Sequence, residues 1–166
     1  MKKKVAINGF GRIGRLVYRA FLERSNEFSD QYEIAYINDL ADIDTNIHLL
    51  KYDSIHGPLS KEINKISNEQ FSMEGNKVTV TSERNPIDLK WSDKNVDIIL
   101  ECTGVFASKD KAMSHVESGA SKVIVSAPCS GADITVVQGV NNKNINLDHQ
   151  VISNASCTTN CLAPVA

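Results

Sequence analysis

The chain has 166 residues, 42% of them hydrophobic and 23% charged, and a formal net charge of −2. That balance reads as a globular domain with no field to attract nucleic acid or an anionic membrane surface, and no apolar run approaches the roughly 18 to 20 residues that cross a bilayer. The four cysteines, Cys102, Cys129, Cys157 and Cys161, show no disulfide-framework spacing, and Met1 leads into a strand-like segment without a signal-peptide pattern, so a reducing cytoplasm is expected.

Lys2-Lys3-Lys4 reads as a solvated lead-in rather than a nucleic-acid arm. Val5-Ala6-Ile7 is a short apolar strand running into Asn8-Gly9. Ile13, Leu16, Val17, Ala20 and Phe21 then recur at spacings of three and four, which predicts a helix. A polar stretch, Glu23 to Gln31, precedes a second strand over Glu33 to Asn38. Strand, helix and strand in this order predict a parallel pair with a right-handed crossover.

Ile43, Ile47 and Leu50 share one face of a further helix. Phe71 to Met73 and Lys77 to Thr81 flank Glu74-Gly75-Asn76, the pattern of a hairpin, and Pro86 marks a break. Val96 to Glu101 is almost continuously apolar, as a buried parallel strand should be. Ser108 suits the N-cap of a helix running to about Ser118, with Gly119 closing it. Val123 to Val125, Ile134 to Val137 and Val151-Ile152 complete the strands, and a last helix is expected from Cys157, with Pro164 inside it and fraying its end. The fold class is therefore α/β: a Rossmann-type, doubly wound, mostly parallel sheet with helices on both faces.

Gly9-Phe10-Gly11-Arg12-Ile13-Gly14 fits G-x-G-x-x-G, and its place between a strand and a helix is the context that gives the pattern meaning. Gly9 permits the tight turn, Gly11 lets a pyrophosphate reach the backbone, and Gly14 lets helix and strand pack closely. Free N–H groups at the helix start would bind the phosphates. Asp39 follows the second strand, where an acid accepts hydrogen bonds from the adenosine ribose and repels a 2′-phosphate, so NAD is expected over NADP. Asp39 could instead cap the next helix, leaving the ribose to Asp42 or Asn38.

Ser153-Asn154-Ala155-Ser156-Cys157-Thr158-Thr159-Asn160-Cys161 mounts a cysteine among small hydroxylated residues at a helix start. A thiol attacks as its thiolate, and a helix N-terminus favours that form. A buried structural cysteine is the competing reading. Cys161 reads as a small buried hydrophobe, Cys102 and Cys129 as strand-end and loop packing, and no metal site is expected, because His149 has no ligand-like spacing to the cysteines.

Together with Asn38-Asp39-Leu40, Lys51 to Gly57, Glu101 to Phe106 and Gly139-Val140-Asn141, these segments resemble phosphorylating glyceraldehyde-3-phosphate dehydrogenase over essentially the whole chain. The resemblance implies an NAD-binding domain over residues 1–153 and the start of a catalytic domain over 154–166. It implies that Arg12 and Ile13 present N–H groups to the pyrophosphate and that Arg84 lies near the adenine. Thr103, Gly104 and Phe106 would line the adenine and ribose side, and Ser126 the nicotinamide end. Cys157 would attack the aldehyde of glyceraldehyde 3-phosphate, with Ser156 and Thr158 binding phosphate groups, inorganic phosphate being the second substrate. The family's catalytic histidine follows the cysteine by more residues than remain here, so the 166-residue chain is expected to be inactive alone. The family is homotetrameric, and neither nucleic acid nor membrane is an expected partner. Erythrose-4-phosphate dehydrogenase and a non-catalytic NAD-binding module are the alternatives.

Overall fold

A computed structural model describes all 166 residues. In chain order the elements are β1 (Lys3–Asn8), α1 (Arg12–Glu23), α2 (Ser25–Phe28), β2 (Tyr32–Asn38), α3 (Ile43–Lys51), β3 (Tyr52–Asp53), β4 (Gly57–Pro58), β5 (Ile63–Lys65), β6 (Gln70–Met73), β7 (Asn76–Thr81), α4 (Trp91–Lys94), β8 (Ile98–Glu101), α5 (Lys109–Glu117), β9 (Lys122–Val125), β10 (Ile134–Thr135), β11 (Val151–Ser153) and α6 (Cys157–Leu162). Nine strands form one sheet in the order β10-β11-β9-β8-β1-β2-β7-β6-β5. Pairing is parallel from β10 through to β7, and antiparallel for β7-β6-β5. β1 is the switch point: the chain builds outward through β2 on one side, then returns through β8 on the other.

Side-chain alternation along β1 divides the core. Val5 and Ile7 join Tyr18 and Leu22 of α1, Ile43 and Leu50 of α3, and Phe71 and Val78 of the hairpin. Ala6 faces the opposite way, into a second cluster with Trp91, Ile99, Ala112, Val123 and Val125. Helices thus lie on both faces, as a doubly wound sheet requires. Along α1, Gly14, Tyr18 and Leu22 recur at the helical repeat and are buried. On the α1 side, Ile98, Leu100 and Ile124 face an open apolar cleft shared with Val17 and Phe21.

Several boundaries differ from the sequence reading. The Glu23–Gln31 stretch carries the one-turn helix α2. β8 begins at Ile98 and β10 ends at Thr135, both shorter than expected. Ser108 sits at the start of α5 in extended conformation, but its hydroxyl makes no capping bond. Asp42, and not Asp39, caps α3 by accepting the Thr45 N–H. Pro86 starts a 3₁₀ turn over Pro86–Leu89, where its missing N–H costs nothing. Pro164 lies beyond α6, whose last helical residue is Leu162, so it follows the helix rather than interrupting it.

Candidate cofactor-binding site

An open cleft of about 410 Å³ sits at the carboxyl ends of β1, β2 and β8, the place where doubly wound sheets bind ligands. Gly9, Gly11, Asp39, Arg84, Thr103 and Phe106 line it, six of the residues singled out from sequence.

The three glycines of the loop stand in different surroundings. Gly9 has a φ of +87°, and an added Cβ there would lie 2.8 Å from the Thr103 nitrogen. A Cβ on Gly14 would lie 2.2 Å from the Gly9 carbonyl oxygen, so only glycine lets α1 rest on this turn. Gly11 is different, because a Cβ there would meet nothing within 4 Å. It guards open space in front of α1, whose first turn no side chain caps. Such a start leaves N–H groups free for an anion.

Asp39 closes the other wall. One carboxylate oxygen accepts the Phe10 N–H at 2.7 Å and the other the Ala41 N–H at 2.9 Å. A carboxylate has about four acceptor positions, so two remain for hydroxyl donors. The Arg12 guanidinium turns away from the cleft and grips Asp53 with two nitrogens, at 2.9 and 3.4 Å. The N–H groups of His56 and Ile55, together with Arg12, hold the Asp53 carboxyl well below the usual carboxylate range. The Arg12 side chain is thus committed to Asp53, and the Ile13 side chain is exposed.

Arg12, Ile13, Gly14, Gly104 and Ser126 do not line the cleft. Gly104 makes a positive-φ turn beside Thr103. Ser126 follows β9, and its N–H donates to the Glu101 carbonyl at 3.0 Å, next to Cys102, which does line the cleft. Burial pushes the Cys102 thiol up to about 11, with nearby Ser126 opposing this and Glu101 adding to it.

Cys157 is the first residue of α6, and it is exposed. Ala155, buried with a φ of +56°, makes the sharp bend out of β11. An alanine held there is strained, which is a feature of turns that present functional groups. The Ser156 hydroxyl accepts the Thr159 N–H at 3.0 Å and exchanges hydrogen bonds with the Thr158 and Thr159 hydroxyls. Cys157 does not line the cleft. It lies on the same edge of the sheet, since β1, β8, β9 and β11 are consecutive. Three strand spacings separate their ends by about 14 Å. Cys161 is exposed, contrary to its reading as a buried hydrophobe, because Leu162 and Val165 around it are uncovered too.

Sequence reasoning missed a buried polar chain beneath the cleft. Glu101 and His115 are almost wholly buried. The Trp91 indole N–H donates to His115 Nδ1 at 3.1 Å. Indole can only donate, so His115 carries its proton on Nε2 and donates it to Glu101 Oε2 at 3.0 Å. Asn8 Nδ2 donates to the same oxygen at 2.6 Å. The Thr103 N–H and hydroxyl donate to Oε1 at 2.8 and 2.5 Å. Asn38 Nδ2 donates to Asn8 Oδ1 at 2.8 Å. Only the apolar strand around Glu101 hinted at this, as a charge at the end of a buried run.

Comparison with known proteins agrees with this geometry. Residues 3–109 match the family described as glyceraldehyde 3-phosphate dehydrogenase, NAD binding domain. The whole chain is 51% identical to glyceraldehyde-3-phosphate dehydrogenase of Xanthobacter flavus, covering 48% of that protein. It is 48% identical over its full length to the enzymes so named from Pseudomonas aeruginosa and Geobacillus stearothermophilus, covering 49% and 48% of them. The chain thus spans about half the length of the curated relatives it matches.

Proposed function

The chain belongs to the glyceraldehyde-3-phosphate dehydrogenase family, and we propose that it supplies the NAD site and the nucleophilic cysteine for the oxidative phosphorylation of glyceraldehyde 3-phosphate. The carrying observation is the glycine loop and Asp39 meeting at one cleft, joined by the Phe10–Asp39 hydrogen bond. The residues fit a dinucleotide: Gly11 leaves room for a pyrophosphate in front of uncapped N–H groups, and Asp39 keeps acceptor positions for the ribose hydroxyls.

In this reading the backbone of Gly11, Arg12 and Ile13 holds the pyrophosphate while Gly9 and Gly14 set the turn. Arg84, Thr103, Gly104 and Phe106 border the adenosine, and Ser126 stands toward the nicotinamide end. NAD held by these residues would supply the hydride acceptor for the oxidation. Cys157 Sγ bonds to the aldehyde carbon as a thiohemiacetal; loss of hydride from that carbon and of the hydroxyl proton to a base leaves a thioester. Phosphate attack releases the acyl phosphate and restores the thiolate, so one hard oxidation becomes two easier steps. Ser156 and Thr158 bind phosphate oxygens through their hydroxyls. The same sheet edge carries the cleft and the cysteine, a separation suited to an extended dinucleotide.

None of the four histidines hydrogen-bonds to Cys157. The 166-residue chain is therefore expected to bind NAD without turning over aldehyde, the base being supplied by a further part of the enzyme, which we propose works as a homotetramer in the cytoplasm. Calorimetric titration tests the reading. Saturable NAD binding with NADP much weaker supports it; equal binding of both, or of neither, removes it. With a complete enzyme, faster turnover of erythrose 4-phosphate would reassign the substrate.

A further inference from the structure

We propose that Glu101 is a positioning residue for the cofactor cleft, acting through Asn8, Thr103 and, by way of His115, Phe106. The inference rests on the function proposed above. Glu101 and His115 do not line the cleft, but each touches residues that do. Asn8 and Thr103 donate directly to the Glu101 carboxylate, one to each oxygen. Phe106 stands edge-on to the His115 ring, with centroids 5.8 Å apart. Asn38, a further lining residue, is tied in through Asn8, and its own carbonyl accepts the Glu83 N–H at 2.8 Å and the Thr81 hydroxyl at 3.0 Å.

The bonds from Asn38 through Asn8, from Trp91 through His115 and from Thr103 run toward Glu101. Four donors converge on its two oxygens: Asn8, His115, and the amide and hydroxyl of Thr103. A group that only accepts can satisfy all four, and among side chains that is an ionised carboxylate. Glutamine in its place would turn an NH₂ against donors on one side or the other. In a buried site there is no water to absorb that mismatch, so the neighbours must rotate away. The neighbours that rotate are the floor of the cleft. His115 is fixed from behind by Trp91, which leaves Asn8 and Thr103 as the groups free to move.

The test titrates Glu101→Gln, His115→Phe and the unaltered 166-residue chain with NAD and with ADP-ribose, below the onset of thermal unfolding. Val78→Ala, which destabilises the other core cluster, is the control for general loss of stability. Both network variants should bind both ligands about tenfold more weakly or worse, with Val78→Ala within about twofold of the unaltered chain. Equal loss for ADP-ribose places the effect on the adenosine side. If the unaltered chain binds and the folded network variants bind equally well, the positioning role is overturned and the proposed function stands. Equal loss in Val78→Ala overturns it as well. If Glu101→Gln does not fold, His115→Phe decides; if neither folds, the role is structural and the proposal fails. No binding by the unaltered chain overturns the proposed function, and this inference with it.

Discussion

The Asp39 carboxylate accepts the Phe10 amide hydrogen at 2.7 Å, tying the residue after β2 to the middle of the glycine loop. The acid that selects the ribose in this reading is therefore also a strut of the turn that binds the phosphates. Replacing Asp39 by Ala should weaken NAD binding at least about tenfold and lower stability by about 1–3 kcal/mol, since two amide hydrogens lose a charged acceptor. Asp39→Asn keeps the shape but can accept on one side only. It should weaken NAD less than Asp39→Ala and narrow the gap between NAD and NADP. Calorimetry and urea unfolding on both variants measure the two effects separately.

Gly11 and Gly14 should fail in opposite ways. Gly14→Ala drives a Cβ against the Gly9 carbonyl, with no flexible atom to yield, and should cost about 1–3 kcal/mol of stability. Gly11→Val places its side chain in open space at a φ of −67°, so the fold should keep its melting temperature within a few degrees. NAD binding should fall by about tenfold or more as the pyrophosphate loses its seat. Thermal melting of Gly11→Val paired with a titration separates the two roles.

Thiol reactivity should follow exposure. Cys157 and Cys161 are exposed, whereas Cys102 is raised to about 11 by burial and Cys129 is raised by burial also. Iodoacetamide at about pH 8 should label the first two in the native chain and the last two only on unfolding. Peptide mass spectrometry after a short exposure reads the outcome directly.

Acid should destabilise the chain through two struts. Lys109, then the Val151 and Gln150 N–H groups, bring Asp133 down to about 2, and Asp53 is lowered by His56, Ile55 and Arg12. Both bind fewer protons folded than unfolded, where the value is about 3.9. Their stabilisation is complete above the unfolded value and is lost as pH falls from about 5 toward 2. Asp133→Asn should cost about 1–3 kcal/mol at neutral pH and make the acid limb of the stability curve shallower. Urea unfolding across that pH range gives both quantities.

How far the sequence carried the fold depended on what each element draws on. β1, α1 and β2 were legible because the 3.6 and 2 periodicities and the glycine motif are local, and the Glu74-Gly75 hairpin carries its own turn chemistry. The one-turn helices α2 and α4 and the two-residue strands β3 and β4 were not, since so few residues hold no period. Cys161 was misread because an i+4 spacing from Cys157 says nothing about whether another element covers that face. The cleft itself was half legible. Gly9, Gly11 and Asp39 announce themselves, but the chain from Trp91 through His115 and Glu101 to Asn8 joins residues far apart in sequence, and only the parallel pairing of β1 with β8 brings them together.

The most direct measurement is an amide-resolved NMR titration of the 166-residue chain with NAD. Saturable shifts should centre on the amides of Gly9 to Gly14, Asp39 to Ala41 and Cys102 to Phe106, with the apolar cleft around Val17, Ile98 and Ile124 unmoved. Saturable shifts confined to another face, or none at concentrations where the relatives' cofactor should bind, would contradict the proposed NAD site.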